Sequence, residues 1–248
     1  MLTQSELLQY SRHIILPEID LAGQESIKSS HILIIGMGGL GSPAALYLAA
    51  AGVGSLTIID HDTVETSNLQ RQVIHDLENI SQSKVTSAEQ SLSKLSAHLK
   101  VHSIQQKASL ELLNSLSDKH RFTAVLDCSD NFETRFMLNQ WSIDSGIPLI
   151  SASAVGFTGQ LAVFNQSTEN ACYQCLYSQT DLPEGDCEDQ GILSPVVGTM
   201  GTLQATEALK LILGLGTMKK SYLLKYDALA TEFKRFSITK DPECPICS

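Results

Sequence analysis

The sequence predicts an α/β protein with a Rossmann-like nucleotide-binding sheet, whose parallel strands have helices on both faces, continued by antiparallel strands and a four-cysteine zinc site. Three observations support this prediction. Strand-like and helix-like segments alternate between residues 31 and 150, which favours right-handed crossovers and a parallel sheet. Beyond residue 151, strand-like segments typical of antiparallel pairing surround one long helical segment. Two Cys-x-x-Cys pairs lie at 172–175 and 244–247.

The first predicted strand is the apolar, β-branched run at 31–35, which suits a strand buried on both faces. A helix follows from Ser42 to about Ala51, with Pro43 in the first turn, where proline is tolerated. The next predicted elements, in order, are strand 56–60, helix 82–97, strand 101–105, helix 110–116, strand 123–127, helix 131–145 and a strand that begins at 148.

The later elements differ in pattern from the earlier ones. Segments 160–164, 222–226 and 232–238 resemble antiparallel strands, and segment 194–213 a long helix. The polar segment 178–191 contains glycine and proline and predicts an exposed mobile loop. We expect a single domain over 1–248, which consists of an N-terminal helical arm (1–30), a nucleotide-binding half (31–150) and a second half (151–248).

Composition excludes several functional classes. The chain has 248 residues, of which 43% are hydrophobic and 18% charged, as in ordinary globular proteins. A formal net charge of −10 and the lack of a basic cluster argue against nucleic-acid binding. The sequence has no apolar run near the roughly 20 residues of a membrane span, and no signal-peptide pattern at its start. We therefore expect a cytoplasmic protein with no membrane association.

A glycine-rich loop follows the first predicted strand. Gly36, Gly38 and Gly41 form the spacing G-x-G-x-x-G, and Asp60 ends the second strand. Glycines allow backbone N–H groups to approach a phosphate, the following helix presents its positive end, and an acidic residue can bind ribose hydroxyls. This context predicts nucleotide binding. The alternative is a glycine-rich turn needed only for packing.

The residues after Asp60 indicate which nucleotide binds. An amide and two cations, Asn68, Arg71 and Lys84, suit a triphosphate with a departing pyrophosphate better than hydride transfer. An NAD-dependent oxidoreductase remains the competing enzyme class, and each cation taken singly could be a solvated surface charge. The segment predicted to line the site is Asp62, Ser67, Asn68, Leu69, Gln70 and Arg71.

A second polar segment, 127–131, follows a later strand. Ligands of open α/β sheets bind at the carboxyl ends of strands, so Asp130 is well placed to hold Mg²⁺, with Asn131 beside it. The alternative for Asp130 is an N-cap of the next helix. Cys128 adjoins the apolar strand and is expected to be a buried packing residue.

Four cysteines, Cys172, Cys175, Cys244 and Cys247, form two metal-binding knuckles. Such pairs make a closed tetrahedral zinc site that serves structure rather than catalysis. Because 68 residues separate Cys175 from Cys244, the fold has to bring the knuckles together. The alternative is a redox dithiol.

Cys187 remains outside these pairs, in an acidic loop. A cysteine there could attack an acyl adenylate or handle sulfur, although acidic neighbours disfavour the thiolate. The alternative is a surface thiol with no essential role. The seven histidines are scattered along the chain, and we assign them no function.

Taken together, these motifs resemble the bacterial activating enzymes for molybdopterin and thiamine biosynthesis, an E1-like family related to the ubiquitin-activating enzymes. The resemblance covers essentially the whole chain. The segments that carry it are 10–12, 36–42, Asp60-x-Asp62, 67–72, Lys84, 127–131, both Cys-x-x-Cys pairs and Cys187.

The resemblance implies ATP-dependent adenylation of the C-terminal glycine of a ubiquitin-like sulfur-carrier protein, which would bind to the second half of the chain. It implies a homodimer in which Arg12 reaches the ATP of the other subunit. His13 replaces the glutamine usual in the family, with only a local effect expected. A rhodanese domain found in some relatives does not fit after Cys247, so we expect a separate sulfur donor protein. The ATP-site residues implied are Gly39, Asp60, Asn68, Arg71, Lys84 and Asp130.

The pathway is harder to predict. Segments 151–157 and 198–205 resemble the thiamine enzymes, whereas 2–17, 226–229 and 241–242 resemble the molybdopterin enzymes. We favour the small subunit of molybdopterin synthase as the carrier, with the thiamine carrier as the alternative. A non-catalytic binder of a ubiquitin-like partner is a further alternative, which loss of Arg71, Lys84 or Asp130 would have indicated.

Overall fold

A computed structural model describes residues 1–165, 167–178, 191–216 and 221–248. Its strands are β1 (His31–Ile35), β2 (Ser55–Ile59), β3 (Lys100–Ile104), β4 (Ala124–Asp127), β5 (Leu149–Val155), β6 (Thr158–Phe164), β7 (Tyr222–Asp227) and β8 (Glu232–Ser237). They form one eight-stranded sheet in the order β3-β2-β1-β4-β5-β6-β7-β8. The first five strands are parallel, and β6, β7 and β8 are antiparallel. The predicted fold class is confirmed.

The helices are α1 (Gln4–Gln9), α2 (Ser11–Ile14), α3 (Asp20–Ser29), α4 (Gly41–Ala51), α5 (Lys84–Leu95), α6 (Leu110–Ser117), α7 (Phe132–Ser145), α8 (Tyr173–Leu176) and α9 (Ser194–Ile212). The four-residue helix α8 and the 3₁₀ turns at Thr66–Asn68 and Leu77–Asn79 were not predicted, because such short elements have no hydrophobic period. The predicted loop 178–191, apart from its first and last residues, lies outside the described residues, as does Cys187.

Helices cover both faces of the parallel sheet. Successive residues of β1 point to opposite faces and so join two different clusters. Ile32 and Ile34 belong to a core cluster shared with α4, α5 and α9. Leu33 and Ile35 belong to a second cluster shared with α6 and α7, which includes the buried Trp141. The short apolar runs of the sequence are therefore strands buried on both faces.

The predicted division at residues 150 and 151 falls inside β5, so both halves of the chain share one continuous sheet. At the far edge, all six residues of β8 are exposed. No helix within the described ranges has the length and apolar character needed to cross a membrane.

In the N-terminal arm, a buried carboxylate joins two helices. Glu6 of α1 is 1% exposed, and its carboxylate accepts hydrogen bonds from Lys28 of α3 and from Thr3, the N-cap of α1. The hydrogen bonds from Lys28 and Thr3 lower the pKa of Glu6 to about 2. Glu6 therefore remains ionised wherever α1 and α3 are packed together.

Candidate functional site

A cavity of about 480 Å³ lies beyond the carboxyl ends of β1, β2 and β4. This volume is within the range of small-molecule sites, and the position is the one where open α/β sheets bind ligands. The polar and glycine residues that line it include Gly36, Gly38, Gly39, Asp60, Asp62, Ser67, Asn68, Gln70, Arg71, Lys84, Asp130 and Asn131. The structure thus gathers most of the predicted nucleotide-site residues around one space.

The four glycines of the loop differ in their surroundings. Gly36 has a φ of +94°, and a Cβ there would lie 2.6 Å from the carbonyl oxygen of Cys128. At Gly41 a Cβ would lie 2.0 Å from the carbonyl oxygen of Gly36, so both glycines are required for packing. Gly38 and Gly39 line the cavity, and the nearest atom to a Cβ at Gly38 would be 3.6 Å away, on Gln72. Gly36 is thus required for packing and also borders the cavity, whereas Gly38 borders the cavity with space for a Cβ.

Helix α4 points its N-terminal end at this cavity. No side chain among the described residues caps that end, and Gly38 and Gly39 precede it. The first N–H groups of a helix and its positive dipole end favour a bound anion. The glycine loop and α4 together can therefore bind phosphate.

Asp60 connects β2 to the glycine loop. One carboxylate oxygen accepts the N–H of Met37 at 2.7 Å, and the other accepts the N–H of Asp62 at 2.9 Å. Asp60 is 8% exposed and lines the cavity. Each carboxylate oxygen can accept a second hydrogen bond, so ribose hydroxyls could bind there while the loop stays fixed.

Lys84, the first residue of α5, forms an ion pair in the cavity wall. Its ammonium nitrogen lies 2.8 Å from a carboxylate oxygen of Asp62, and Lys84 is only 7% exposed. Burial raises the pKa of Asp62, but the hydrogen bond and positive charge of Lys84 outweigh this effect, so its pKa is lowered. The pair holds a buried cation in the cavity without leaving its charge uncompensated.

The segment after Asp62 lies along the opposite wall. The side-chain oxygen of Asn68 accepts the N–H of Glu65 at 3.1 Å and so stabilises the 3₁₀ turn. The guanidinium of Arg71 donates to the carbonyl oxygen of Ser67 at 3.2 Å. The Cγ of Arg71 would be 3.4 Å from a Cβ at Gly39, which places the arginine stem against the glycine loop.

Asp130 is exposed and lines the cavity at the end of β4. The N-cap of α7 is Asn131, whose side-chain oxygen accepts the N–H of Thr134 at 2.9 Å. The alternative that Asp130 caps this helix is therefore wrong, because its neighbour already occupies the capping position. The Asp130 carboxylate faces the cavity, and an exposed oxygen donor beside a phosphate site fits Mg²⁺.

Cys128 is buried, and its thiol donates to the side-chain oxygen of Gln204 at 3.3 Å. Burial, and secondarily the charge of Asp127, raises the pKa of Cys128 well above its usual value. The thiol is therefore protonated, as expected of a packing residue.

Sequence reasoning missed several residues of the cavity wall. Arg135 is 7% exposed, and its guanidinium donates to the carbonyl oxygen of Ser129 at 2.9 Å. An arginine on the buried face of α7 was the available signal, but periodicity alone does not show what a buried residue faces. The other missed polar residues of the lining are His61, Glu65, Gln72, Gln106, Lys107, Ser129 and Thr134.

Three predicted residues do not line this cavity. Gly41 packs against Gly36, and Leu69 lies outside the wall. Arg12 of α2 is exposed and does not border the cavity of its own chain.

The two Cys-x-x-Cys pairs meet, as the sequence predicts. The sulfur atoms of Cys172, Cys175, Cys244 and Cys247 all lie within 4.8 Å of one another. Measured sulfur–sulfur separations are 3.9, 3.7 and 3.5 Å. Four thiolates at about 2.3 Å from one zinc ion would be about 3.8 Å apart. The N–H of Asp241 also donates to Cys175 at 3.4 Å, which adds an outer hydrogen bond typical of metal thiolates.

Three of the seven histidines are adjacent, although the sequence scatters them. The rings of His31, His102 and His120 have centroids 5.0 to 5.5 Å apart, and Phe122 packs against them. His31 is the first residue of β1, whereas the cavity adjoins the last. The cluster is therefore separate from the cavity.

Comparison with known proteins gives consistent matches over the chain. The sequence pattern of the ThiF family matches residues 10–246. A sulfur carrier protein ThiS adenylyltransferase of Escherichia coli is 42% identical over 98% of this chain and 95% of its own length. A molybdopterin-synthase adenylyltransferase of Salmonella typhimurium is 37% identical over 99% of this chain and 98% of its own length.

Another relative is longer. The adenylyltransferase and sulfurtransferase MOCS3 of Drosophila grimshawi is 42% identical over 100% of this chain, which spans only 55% of that protein. Among solved structures, Escherichia coli MccB with AMPCPP and MccA superimposes with a TM-score of 0.81. That match covers 97% of this chain and 74% of the MccB chain, and at 19% identity it shows a shared fold alone.

Proposed function

The chain belongs to the ThiF family, and we propose that it uses ATP to adenylate the C-terminal glycine of a ubiquitin-like sulfur-carrier protein. One observation carries the proposal: the glycine loop, Arg71, Lys84 and Asp130 line a single cavity. Two relatives that match nearly end to end are named as adenylyltransferases, one for ThiS and one for molybdopterin synthase, which supports the same chemistry.

In the proposed reaction, a carboxylate oxygen of the carrier attacks the α-phosphorus of ATP. A new phosphorus–oxygen bond forms, the bond to the β-phosphate oxygen breaks, and pyrophosphate departs with the bonding electrons. The products are an acyl adenylate and pyrophosphate, so no protein nucleophile is needed. Catalysis then consists of positioning and charge stabilisation, for which Arg71 and Lys84 supply cations and the glycine loop supplies N–H groups.

Two metal ions belong to this proposal. Asp130 would hold Mg²⁺, which neutralises phosphate charge when bound. The four cysteines would hold Zn²⁺, because their sulfur separations match a tetrahedral site. That ion would attach the last residues of the chain to the segment around α8.

The partners are proposed by the same reasoning. The second half of the chain, 151–248, would bind the carrier. In a homodimer, Arg12 would reach the ATP of the other subunit, which agrees with its exposed position outside its own cavity. Sulfur would come from a separate donor protein. A role for Cys187 in sulfur handling stays a prediction.

The choice of carrier stays open. Identities of 42% to the ThiS adenylyltransferase and 37% to the molybdopterin-synthase adenylyltransferase do not separate the two pathways. We test the molybdopterin-synthase small subunit first, following the sequence segments that resemble that branch, and the thiamine carrier second.

Mass spectrometry of both purified carriers, after incubation with this protein, ATP and Mg²⁺, tests the proposal. We expect one carrier to gain the mass of AMP, which would identify both chemistry and pathway. A gain on both would indicate a shared activator. No gain on either, with ATP still bound and both carriers active with known enzymes, would favour a non-catalytic binder. Binding of NAD in place of ATP would favour the oxidoreductase alternative.

A further inference from the structure

His75 lies in a buried position directly against the glycine loop, although sequence analysis assigns it no role. His75 follows in sequence the segment that contributes Asn68 and Arg71, and it is 7% exposed. Ring atom Nε2 lies 3.0 Å from the carbonyl oxygen of Met37, the second residue of the loop. His75 therefore contacts the loop backbone rather than the cavity itself.

The peptide groups of Met37 are held from two sides. Its N–H donates a hydrogen bond to Asp60 at 2.7 Å, and its carbonyl oxygen accepts one from Nε2 of His75 at 3.0 Å. Because a carbonyl can only accept, Nε2 has to carry a hydrogen. A loop with glycines on both sides of Met37 has high backbone freedom, which these two hydrogen bonds reduce.

The other ring nitrogen connects His75 to the helix that carries Lys84. Nδ1 lies 2.8 Å from the hydroxyl oxygen of Ser87, which is fully buried and lies three residues after Lys84 in α5. The Ser87 hydroxyl also lies 2.8 Å from the side-chain oxygen of Asn79. The imidazole therefore joins the glycine loop to α5, and the Ser87 hydroxyl joins α5 to the turn at Leu77–Asn79.

The surroundings of the imidazole disfavour its charged form. Burial is the main effect that lowers the pKa of His75, and Lys84 lowers it further. The hydrogen bond to Met37 and the charges of Asp60 and Asp76 oppose this shift without reversing it. Nε2–H donates to Met37, and Nδ1 lies within hydrogen-bond distance of Ser87, whose single hydroxyl hydrogen is shared between Nδ1 and the side-chain oxygen of Asn79.

We propose that His75 is a positioning residue, which fixes the glycine loop relative to α5 so that the loop N–H groups and Lys84 act on the same phosphates. This inference rests on the proposed function, since it requires that ATP bind in the cavity. His75 itself touches no substrate in this proposal.

Two amide replacements separate the roles of the two ring nitrogens. In His75→Gln the amide nitrogen can occupy the place of Nε2 and still donate to Met37. In His75→Asn the shorter amide reaches only the place of Nδ1, near Ser87. We expect the Kd for ATP with Mg²⁺ to stay within about threefold of wild type for His75→Gln and to rise about tenfold for His75→Asn, the effect of one lost hydrogen bond.

Calorimetry gives the Kd for ATP, and urea unfolding of each variant shows whether it is folded. His98→Asn is the control, because His98 is exposed and does not line the cavity. Ser87→Ala removes the second contact with a smaller change and should raise the Kd about threefold or more. Equal Kd values for His75→Gln and His75→Asn, or a wild-type Kd for Ser87→Ala, would overturn the inference alone. A wild-type chain that bound no ATP would overturn the proposed function with it.

Discussion

The two ends of the sheet are stabilised in different ways. Four of the five residues are buried in each of β1 and β2, and all four residues of β4 are buried. These strands lie between helices on both faces of the sheet. At the opposite edge β8 is exposed along its whole length, and the residues after it end in the four-cysteine cluster. Apolar burial therefore stabilises the nucleotide-binding end, whereas a metal cross-link would stabilise the end that burial leaves weak.

Removing one ligand of the cross-link is the strongest test of this comparison. We expect Cys244→Ser to lose the zinc and several kcal/mol of stability in the C-terminal segment 222–248, because structural zinc contributes directly to folding. ATP binding should persist. Metal content, limited proteolysis and ATP calorimetry would be compared with the wild type. Cys128→Ala is a control for metal content only, because Cys128 lies outside the cluster but borders the cavity. Loss of ATP binding together with the zinc would show that the two ends are not independent.

The converse test removes a functional group and leaves the core intact. We expect Arg71→Ala and Asp130→Ala each to slow adenylation by at least about a hundredfold, or about 3 kcal/mol, since each group would stabilise charge on the reacting phosphates. Unfolding free energy should change by less than about 0.5 kcal/mol for the exposed Asp130 and by about 1 kcal/mol for the half-buried Arg71. Lys94→Ala, on an exposed part of α5, is the control. Turnover like that of wild type in either variant would contradict the assignment of the cavity.

Two glycines of the same loop allow stability to be separated from binding. Gly36→Ala puts a Cβ 2.6 Å from a carbonyl oxygen at a φ of +94°, so we expect a loss of about 2 kcal/mol in unfolding free energy. Gly38→Ala meets its nearest atom at 3.6 Å and should fold normally, while weakening ATP binding at least tenfold. Urea unfolding of both variants measures the stability, and calorimetry measures the Kd for ATP. Normal ATP binding by Gly38→Ala would favour the interpretation of the loop as a packing turn.

The smallest expected effect concerns pH. Burial, followed by repulsion from His120 and His102, lowers the pKa of His31 to about 4, from an ordinary value near 6.5. Between these values the unfolded chain binds more protons than the native one, so the free energy of unfolding falls as pH decreases through this window. We expect a loss of about 1 kcal/mol, well below full conversion of the shift because His31 is only half-buried. Urea unfolding at pH 7 and pH 4.5 should show a shallower dependence for His31→Asn, and an unchanged slope would refute this.

Much of the fold could be predicted because local patterns specify it. Predicted strand 31–35 coincides with β1, and the long helix 194–213 ends within one residue of α9. The glycine spacing and the cysteine pairs could be predicted equally well, because each motif consists of residues that lie close together in the sequence. The helix α8, with only four residues, has no such pattern.

The site was predicted in part for the same reason. Asp130 closely follows the end of β4, and Arg71 and Lys84 lie in the segment that leads from β2 into α5. Strand order therefore suggests that they meet at the carboxyl ends of the strands. Arg135 and His75 lie on elements whose buried faces look like ordinary core, and only packing shows that one borders the cavity and the other the loop backbone.

The amino-acid sequence was sufficient to specify the order of most strands and helices, the glycine-rich loop and the identity of the four cysteines that cluster. Three other features required the folded chain: 68 intervening residues return to close the four-cysteine cluster, Asn131 rather than Asp130 caps α7, and three distant histidines share one surface. The difference arises because periodicity and motif chemistry act over a few residues. Burial, charge pairing and ring contacts depend instead on which elements the sheet brings together.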